Sequence, residues 1–576
     1  MLTVDALRAD RTTIHGYERP TTPTLERLAK ESVVCDTAFS LGTFTQSAAV
    51  QLFTSTAPLS LGGFDAGAVG RPNTLFKHFW DNGYRTTAIS TLHWVNSYFG
   101  YGDGLDTEHQ LFVPNTLVGV AVATIRSSLT GYHNGDIDHD EMMSVVAPAI
   151  SKLFEDADTY FSIRLERQAE YERDFPHSLF VNEGYDPVRV KRLIDKHRTD
   201  FNNDPADYVE RYLSTVPAPN EWLAGEWRLC RPLRRLASEA IFRMVNRFVR
   251  MLSPSLARAR SARFRQYVDA SALADKTIAT LRAAPDDRPF VIWTHFMDTH
   301  VPYVSGHGRK WYRQTSEYLE ELGYPATNDP ALVFRNPRAQ EPDIQEESAA
   351  LYDAAVRWTD EQIGRIVDSL DEMGLGEDTI VMVCGDHGEE LGDHGDLGHY
   401  FLLYEHSVRI PMMFRRRGMP PERLAGLYTI QDVGPTLANM SGLPSAPGWT
   451  GLPVNSKAAS EREHIVMETF YGGNCLFQHR PLYFAARSRN HKLMWSEARD
   501  PADKYSPDGP QLFDLAEDPG EHQNIYDREH PALPALEAAI ARRMAQIPEI
   551  SEERIVAGFG EIGQQAVTEI RHRATQ

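Results

Sequence analysis

Cysteine, net positive charge and long apolar runs are all scarce in this sequence of 576 residues. The four cysteines lie far apart and none forms a CxxC pair, which argues against a disulfide framework and a structural zinc site. The net charge is −21, so no nucleic acid partner is expected, because binding to a phosphate backbone needs a basic face. A small anionic substrate stays compatible with this charge, since a local cationic site can outweigh the global field.

Neither a run of 18 apolar residues nor a signal peptide is visible in the sequence. The chain opens on Met1-Leu2-Thr3-Val4-Asp5, which is typical of the last residues of a buried strand. If Met1 is the genuine start, a cytoplasmic location is expected. A missing N-terminal segment is the alternative, and it leaves the location open.

The pattern of apolar residues divides the chain into a larger α/β part, residues 1–455, and a smaller C-terminal α+β subdomain, residues 456–576. Short apolar runs alternate with helical stretches over residues 1–106 and again from residue 289, which predicts parallel βαβ units. Residues 107–284 are mostly helical in pattern, rich in charge and aromatics, and without a strong strand signal. We interpret them as a helical insertion.

Arginines are concentrated within the insertion, between Arg228 and Arg265. They alternate with apolar residues, as in the stretch from Ile241 to Arg250. One interpretation is a basic amphipathic helix that contacts a membrane or an anionic polymer. The other is a solvated helix face packed on the core, which is the commoner case for such a pattern.

Acidic side chains and a histidine follow two predicted strands. An apolar run ends at Gly385 and leads directly into Asp386-His387, and the opening strand leads into Asp5. Ligands of parallel α/β sheets bind at the carboxyl ends of strands. Carboxylate and imidazole groups there suit a divalent cation, so we predict that Asp5, Asp386 and His387 hold a metal ion: Ca, Mg, Mn or Zn.

Eight segments, including the two strand ends, resemble motifs of the sulfatase family of the alkaline phosphatase superfamily and follow one another in the family's order. They are Asp5–Asp10, Gly16-Tyr17, Thr22–Ala29, Tyr352–Val356, Asp386–Gly395, Tyr404–Pro411, Asp432–Leu437 and Leu512–Glu521. This resemblance implies a three-layer α/β/α sandwich around a mostly parallel sheet. It also implies a metal-dependent hydrolase of sulfate or phosphate esters.

The nucleophile of sulfatases is a Cys or Ser in a C/S-x-P-S-R context, matured to formylglycine. The family's spacing from Thr54 and Pro58 places Thr45 at that position, with Ser47, Ala48 and Ala49 replacing the Pro, Ser and Arg. Threonine cannot become formylglycine, but related phosphotransferases and phosphodiesterases use a threonine, and a divalent metal activates a hydroxyl. Ser47 as nucleophile and an inactive site are the alternatives.

Three histidines are candidates for acid catalysis or charge stabilisation. His300 matches the last histidine of the family's strand-end segment, and His399 stands where sulfatases often carry a lysine. His93 lies near the family's Lys-x-His, with Thr91 in place of the lysine. An imidazole near its ordinary pKa of about 6.5 can protonate a leaving alkoxide.

The expected substrate is a small-molecule, glycan or lipid ester. The family favours sulfuric esters, whereas Thr45 and the lost arginine favour phosphate mono- or diesters, cleaved or transferred. The non-enzymatic alternative is an inactive sulfatase-like protein that binds an anionic polymer through the arginine-rich stretch.

Overall fold

The computed structural model describes most of the chain. The described residues are 1–135, 137–176, 178, 181, 185–213, 222–231, 233–252, 267–284, 288–301, 303, 311–324, 342–395, 397–399, 401–470, 482–497 and 509–574. These residues form many helices, one nine-stranded sheet, one four-stranded sheet and a short hairpin. One of the helices, His139–Asp174, is 36 residues long.

A nine-stranded sheet forms the centre of the part that the structure describes. Its strands are β1 Leu2–Val4, β2 Ser32–Phe39, β3 Arg85–Ser90, β4 Thr107–Gln110, β5 Phe290–Phe296, β6 Val381–Gly385, β9 Arg409–Arg415, β10 Glu422–Leu424 and β11 Tyr428–Thr429. Two short strands outside this sheet, β7 Glu390–Leu391 and β8 Leu397–Gly398, form a separate hairpin. The order is β10-β2-β9-β6-β1-β5-β3-β4, with β11 beside β2. Only β9 runs antiparallel to its neighbours, which confirms the mostly parallel sheet.

Helices cover both faces of this sheet. In chain order the described α-helices are α1 Pro23–Ala29, α2 Thr45–Thr54, α3 Leu75–Asp81, α4 Asn115–Asn134, α5 His139–Asp174, α6 Pro187–Asn203, α7 Pro205–Leu213, α8 Leu223–Leu229, α9 Leu233–Leu252, α10 Ala270–Ala283, α11 Trp311–Glu321, α12 Pro342–Glu372, α13 Glu405–Val408, α14 Val433–Met440, α15 Lys457–Ser460, α16 Leu533–Ala545 and α17 Glu552–Ala574. Apolar residues of α1, α10 and α12 pack into one core, and those of α2, α3 and α14 into another. The three-layer sandwich is therefore confirmed.

The sheet continues into the region that the sequence predicts as a helical insertion. Strand β4 pairs in parallel with β3, with Thr107 opposite Thr87. The sequence shows no strong strand signal here because β4 is a four-residue edge strand, Thr-Glu-His-Gln, which lacks any apolar alternation. At the other end, α10 packs on β5 and α12 as part of the sandwich. The described residues between β4 and α10 are helical apart from their connections.

A second, antiparallel sheet follows the sandwich in the chain. Its strands are β12 Ile465–Phe470, β13 Leu482–Arg487, β14 His491–Ser496 and β15 Gln511–Asp514, paired in that order. Helix α16 packs on β13, and α17 packs on α16. No helix among the described residues is both long and apolar enough to cross a bilayer.

Candidate active site

The two predicted strand ends meet at one edge of the central sheet. Strands β1 and β6 are parallel neighbours, with Val4 opposite Gly385, so the residues that follow them are brought together. Ligand atoms of Asp5, Asp386 and His387 all lie within 4.8 Å of one another, and the three side chains are buried. Directly after Asp5 the chain turns sharply: Ala6 has a φ of 52°, a left-handed conformation that costs free energy in a residue with a Cβ.

Hydrogen bonds fix the three side chains and leave one ligand atom of each free to point inward. Asp386 Oδ1 accepts from the backbone amides of Ala6 and His387, at 2.9 and 2.8 Å. His387 Nδ1 donates to the Gly388 carbonyl at 2.8 Å, so its Nε2 keeps a lone pair. Asp5 Oδ2 and Asp386 Oδ2 are buried without a hydrogen-bond partner among the described residues. Two unpaired carboxylate oxygens beside an imidazole lone pair fit a divalent cation.

Thr45 lies against this group of ligands. It is the first residue of α2, and its Oγ1 donates to Asp5 Oδ1 at 3.0 Å and lies 3.3 Å from His387 Nε2. The N-terminus of a ten-residue helix adds a partial positive charge that favours an anionic group there. Ser47 is buried, and its hydroxyl donates to the Phe44 carbonyl at 2.8 Å. The structure thus directs the hydroxyl of Thr45, not that of Ser47, at the candidate ligands.

Two of the three candidate histidines lie close to the same point. The ring of His399 is centred 4.5 Å from that of His387 and 5.1 Å from that of His300. Burial disfavours the imidazolium of His399, but the adjacent Glu389 carboxylate, 3.3 Å away, outweighs it and raises the pKa of His399 to about 9. Burial lowers the pKa of His300, against the opposing charge of Asp5. At neutral pH the two histidines therefore differ: His399 is protonated and His300 is neutral.

His93 lies near these groups but has a different setting. Burial and, to a smaller extent, the charge of His300 together lower its pKa to about 4. Its ring contacts that of Trp94, at 4.6 Å between centroids. His93 is therefore neutral, and within the described part of the chain no hydrogen bond joins its ring to the candidate ligands.

Sequence reasoning missed two residues that the fold brings to the site. His295 faces Asp5 from β5, with Nε2 3.8 Å from Asp5 Oδ1. Thr3 Oγ1 accepts from Trp293 Nε1 at 2.8 Å and also lies within hydrogen-bond distance of His295 Nδ1, at 2.7 Å, so these contacts fix the His295 ring. Tyr267, from the end of the predicted insertion, has its ring 5.3 Å from that of His300. A histidine near the end of a buried strand was the available signal for His295, but Tyr267 had none.

A buried arginine connects the two loops that carry the candidate ligands. Arg8 is almost fully buried, and its guanidinium binds Asp10 and Asp393, each at 2.6 Å, and the Glu389 carbonyl at 3.1 Å. Burial opposes ionisation of Asp393, but Arg8 outweighs it and holds the pKa of that carboxyl well below its ordinary value of 3.8. The Arg8 network therefore fixes the loop after β1 to the loop after β6.

We expect Arg8→Met to lower the free energy of unfolding by about 3 kcal/mol, because it leaves partly buried carboxylates without their cation. Since the folded-state pKa of Asp393 is depressed, its contribution is complete above its unfolded pKa of 3.8 and is lost as the pH falls below it. Urea unfolding at pH 7 measures the first effect, and a series from about pH 4 to about pH 2 measures the second. The control is Arg27→Met, at the exposed pair with Asp368, which we expect to cost less than about 1 kcal/mol. Equal losses for the two variants would contradict this role of Arg8.

Comparisons with known proteins show the family of this chain. The sequence model of the sulfatase family matches residues 1–109 and 176–443. The choline-sulfatase of Rhizobium meliloti is 29% identical over 289 residues, 46% of this chain and 52% of that protein. Arylsulfatase K of Rattus norvegicus is 27% identical over 287 residues, 44% of this chain and 48% of that protein. The matches span about half the length of these curated relatives.

Two solved structures share the fold over nearly the whole chain. One is described in complex with its substrate D-glucosamine-2-N,6-O-disulfate; it has a TM-score of 0.53 at 12% identity and covers 95% of this chain and 97% of its own. The other, described in work on glycosaminoglycan metabolism by Bacteroides thetaiotaomicron, has a TM-score of 0.55 at 14% identity and covers 97% of this chain and 98% of its own. At this identity the likeness shows the fold alone.

Proposed function

This chain belongs to the sulfatase family of the alkaline phosphatase superfamily, and on that premise we propose that it is a metal-dependent enzyme with a threonine nucleophile. Its substrate is an ester of phosphoric or sulfuric acid, and phosphate-type esters are preferred. The hydrogen bond from Thr45 to Asp5 carries this proposal, because it holds a hydroxyl beside the unpaired oxygens of the candidate ligands.

The proposed role of the metal ion follows from the charge of the substrate. A divalent cation held by Asp5, Asp386 and His387 would neutralise charge on the ester oxygens and lower the pKa of the Thr45 hydroxyl. The N-terminus of α2 adds backbone N–H groups on the same side. These features serve a tetrahedral anionic group, whether its centre is phosphorus or sulfur.

The proposed reaction is an in-line displacement. The Thr45 hydroxyl, whose pKa a bound cation would lower, releases its proton to solvent, and its Oγ1 forms a bond to phosphorus while the bond from phosphorus to the leaving oxygen breaks. His399, protonated at neutral pH beside Glu389, supplies the proton for that oxygen. Neutral His300 donates from Nδ1 to the Val301 carbonyl, so its Nε2 can only accept a hydrogen bond at the site. In the second step His399, now deprotonated, takes a proton from water, or from a second alcohol in a transferase. That oxygen forms a bond to phosphorus, the bond from phosphorus to Thr45 breaks, and the Thr45 oxygen regains a proton from solvent.

The threonine is the reason to expect phosphate rather than sulfate. In the sulfatases that this chain resembles, the formylglycine nucleophile carries a second hydroxyl on the same carbon, and sulfate leaves by elimination. Thr45 has a single hydroxyl, so a sulfated Thr45 would have to be hydrolysed directly at sulfur. A phosphorylated Thr45 faces the same direct hydrolysis, which is the ordinary route for enzymes with an alcohol nucleophile.

The test is a panel of nitrophenyl phosphate, phosphodiester, phosphonate and sulfate esters, each with added Mn, Ca, Mg or Zn. We expect a phosphate-type ester to give the highest kcat/KM. A wide preference for the sulfate ester would refute the phosphate preference while leaving Thr45 in place. Absence of turnover with every ester and metal would favour the alternative function, a sulfatase-like protein that binds an anionic polymer.

The arginine-rich stretch provides a second proposal, which concerns where the enzyme acts. The structure describes it as far as α9, and residues 253–265 lie outside the described residues. Apolar residues recur every three or four positions along α9 and form one exposed face of the helix. They are Ile241, Met244, Val245, Phe248, Met251 and Leu252, and the side chains of Phe248 and Leu252 are 63% and 89% exposed. A helix packed on the core by its apolar side would bury these residues, and Asn246 on another side is buried instead.

We propose that this face rests on an anionic lipid bilayer. Residues 228–265 contain eleven arginines and one acidic residue, Glu239, in a chain of net charge −21. Charge complementarity therefore favours an anionic surface over a second copy of this acidic chain, and each arginine near such a surface contributes about 1 kcal/mol. Exposed apolar side chains beside arginines match an interfacial helix.

Vesicle sedimentation tests this placement. We expect the protein to sediment with vesicles of phosphatidylserine and phosphatidylcholine, to bind phosphatidylcholine alone weakly, and to be released by high salt. Phe248→Glu should reduce binding at least tenfold. Leu165→Glu is the matched control, because Leu165 is 51% exposed on α5, outside the arginine-rich stretch, and should leave binding unchanged. No binding by the parent, or equal loss in both variants, would refute the proposal.

A further inference from the structure

Three side chains of metal-ligand type meet close to the candidate active site but outside it. They are Glu390 on β7, His394 in the turn between β7 and β8, and His406 on α13. One ligand atom of each lies within 4.8 Å of the other two. Glu390 and His406 are more than nine-tenths buried, and His394 is half-buried. None of the three takes part in the proposed reaction.

The tautomer of His394 is fixed by the C-terminal part of the chain. His394 Nε2 lies 3.0 Å from the Glu521 carbonyl, which can only accept, so Nε2 carries the proton. Nδ1 of the neutral ring then has a lone pair. It points inward, 3.8 Å from Glu390 Oε2, and it is buried without a hydrogen-bond partner among the described residues. This is the arrangement of a metal-binding histidine, whose other nitrogen is held by a carbonyl.

His406 presents a second unsatisfied nitrogen to the same point. Its Nε2 lies 2.7 Å from Glu390 Oε2, yet the two atoms are not aligned for a hydrogen bond, and Nε2 is buried without one in the described structure. When a carboxylate oxygen and an imidazole nitrogen both bind one cation, the nitrogen's lone pair points at the cation, so the oxygen lies to the side of the lone-pair direction. Glu390 Oε1 is occupied, because it accepts from the His394 amide at 3.0 Å.

Neighbouring groups hold the three side chains in place. The ring of Tyr404 stacks on that of His394, with centroids 3.7 Å apart and planes 6° from parallel. Close backbone packing joins the loop before β7 to α13, because a Cβ on Gly388 would lie 1.9 Å from the His406 carbonyl. The ligand set is therefore preorganised by packing rather than assembled from mobile surface side chains.

We propose that Glu390, His394 and His406 bind a second divalent cation, of the zinc class, distinct from the one proposed for the active site. Two imidazoles and one carboxylate form a borderline ligand set that suits zinc better than calcium or magnesium. Bond lengths of about 2.0–2.2 Å require these atoms to move by less than about 1 Å. Through the Glu521 carbonyl, the cation ties the hairpin before His399 to the C-terminal part of the chain, so its role is structural.

Metal counting on the full-length protein tests the proposal. The protein is stripped with chelator, reloaded with zinc chloride, desalted, and analysed for zinc per chain. We expect two equivalents in the parent, one in His406→Gln, and one in Asp386→Asn. His139→Gln, at a side chain that is 53% exposed, is the matched control and should keep two. Glu390→Gln, which retains an oxygen for the His394 amide, should show the same loss as His406→Gln.

The pattern of losses separates this proposal from the proposed function. The second site alone would be overturned by the following result: the parent binds one equivalent of zinc, His406→Gln and Glu390→Gln both keep it, and Asp386→Asn loses it. One equivalent that disappears in His406→Gln and survives Asp386→Asn would support the second site and count against the catalytic metal. Thermal unfolding gives an independent readout: added zinc should raise the Tm of Asp386→Asn but raise that of His406→Gln by less.

Discussion

Replacing Thr45 by alanine is expected to abolish ester turnover, with kcat falling on the order of 10⁴-fold or more, the scale of nucleophile removal in other covalent enzymes. The reason is that Thr45 Oγ1 is 3.0 Å from Asp5 Oδ1, whereas the alternative hydroxyl, that of Ser47, is bonded to the Phe44 carbonyl. Thr45→Ser keeps the hydroxyl and should keep much of the activity. Steady-state kinetics with the best ester of the panel measures both.

The control for Thr45 is its neighbour on the same helix. Ser47→Ala removes a hydroxyl that is bonded to the Phe44 carbonyl, so it should cost about 1 kcal/mol of stability while kcat stays near that of the parent. Activity of Thr45→Ala equal to the parent would show that Thr45 is not the nucleophile. Loss of activity in Ser47→Ala but not in Thr45→Ala would transfer the role to Ser47.

Loss of the catalytic cation is the second large effect. We expect Asp386→Ala to remove one equivalent of bound metal, with affinity reduced more than about 100-fold, because even the partners of ligands cost 10–100-fold. Asp386→Asn separates charge from shape, since its amide oxygen can still accept from Ala6 and His387. Elemental analysis and activity should fall together in both variants.

The fold should survive these changes, which circular dichroism and urea unfolding can check. Asp368→Asn, at an exposed acid of α12, is the control and should lose neither metal nor activity. Full metal occupancy in Asp386→Ala would show that the proposed ligand set is wrong. Loss of structure in Asp386→Ala, with Asp386→Asn folded and metal-free, would still support it.

The parts of the site that the sequence could predict are those that depend on local order. An apolar run followed by an acid marks the end of a buried strand. This local pattern identifies Asp5 and Asp386 as candidates, although it does not show that their strands are neighbours. Thr45 followed from family spacing alone. The helix over residues 45–54 then directs its side chain at Asp5, forty positions away in the sequence.

The parts that could not be predicted depend on pairing between distant segments. His295 reaches Asp5 only because Thr3 pairs with it across β1 and β5. Arg8 and Asp393 are separated by 385 positions, and no periodicity relates them. The second candidate cation site has the same origin, because the tautomer of His394 is set by Glu521, far along the chain. Such contacts follow from strand order and loop packing, neither of which a single sequence encodes locally.

Peptide mass spectrometry of enzyme trapped during turnover of a phosphate monoester tests the central claim most directly. The claim is that the reaction passes through a covalent ester of Thr45. Acid quenching in the steady state, followed by proteolysis, should yield the peptide that contains Thr45 with one added phosphoryl group, localised to Thr45 by fragmentation and absent from Thr45→Ala. An active parent enzyme whose only phosphorylated residue is another one, such as Ser47 or His300, would contradict the account.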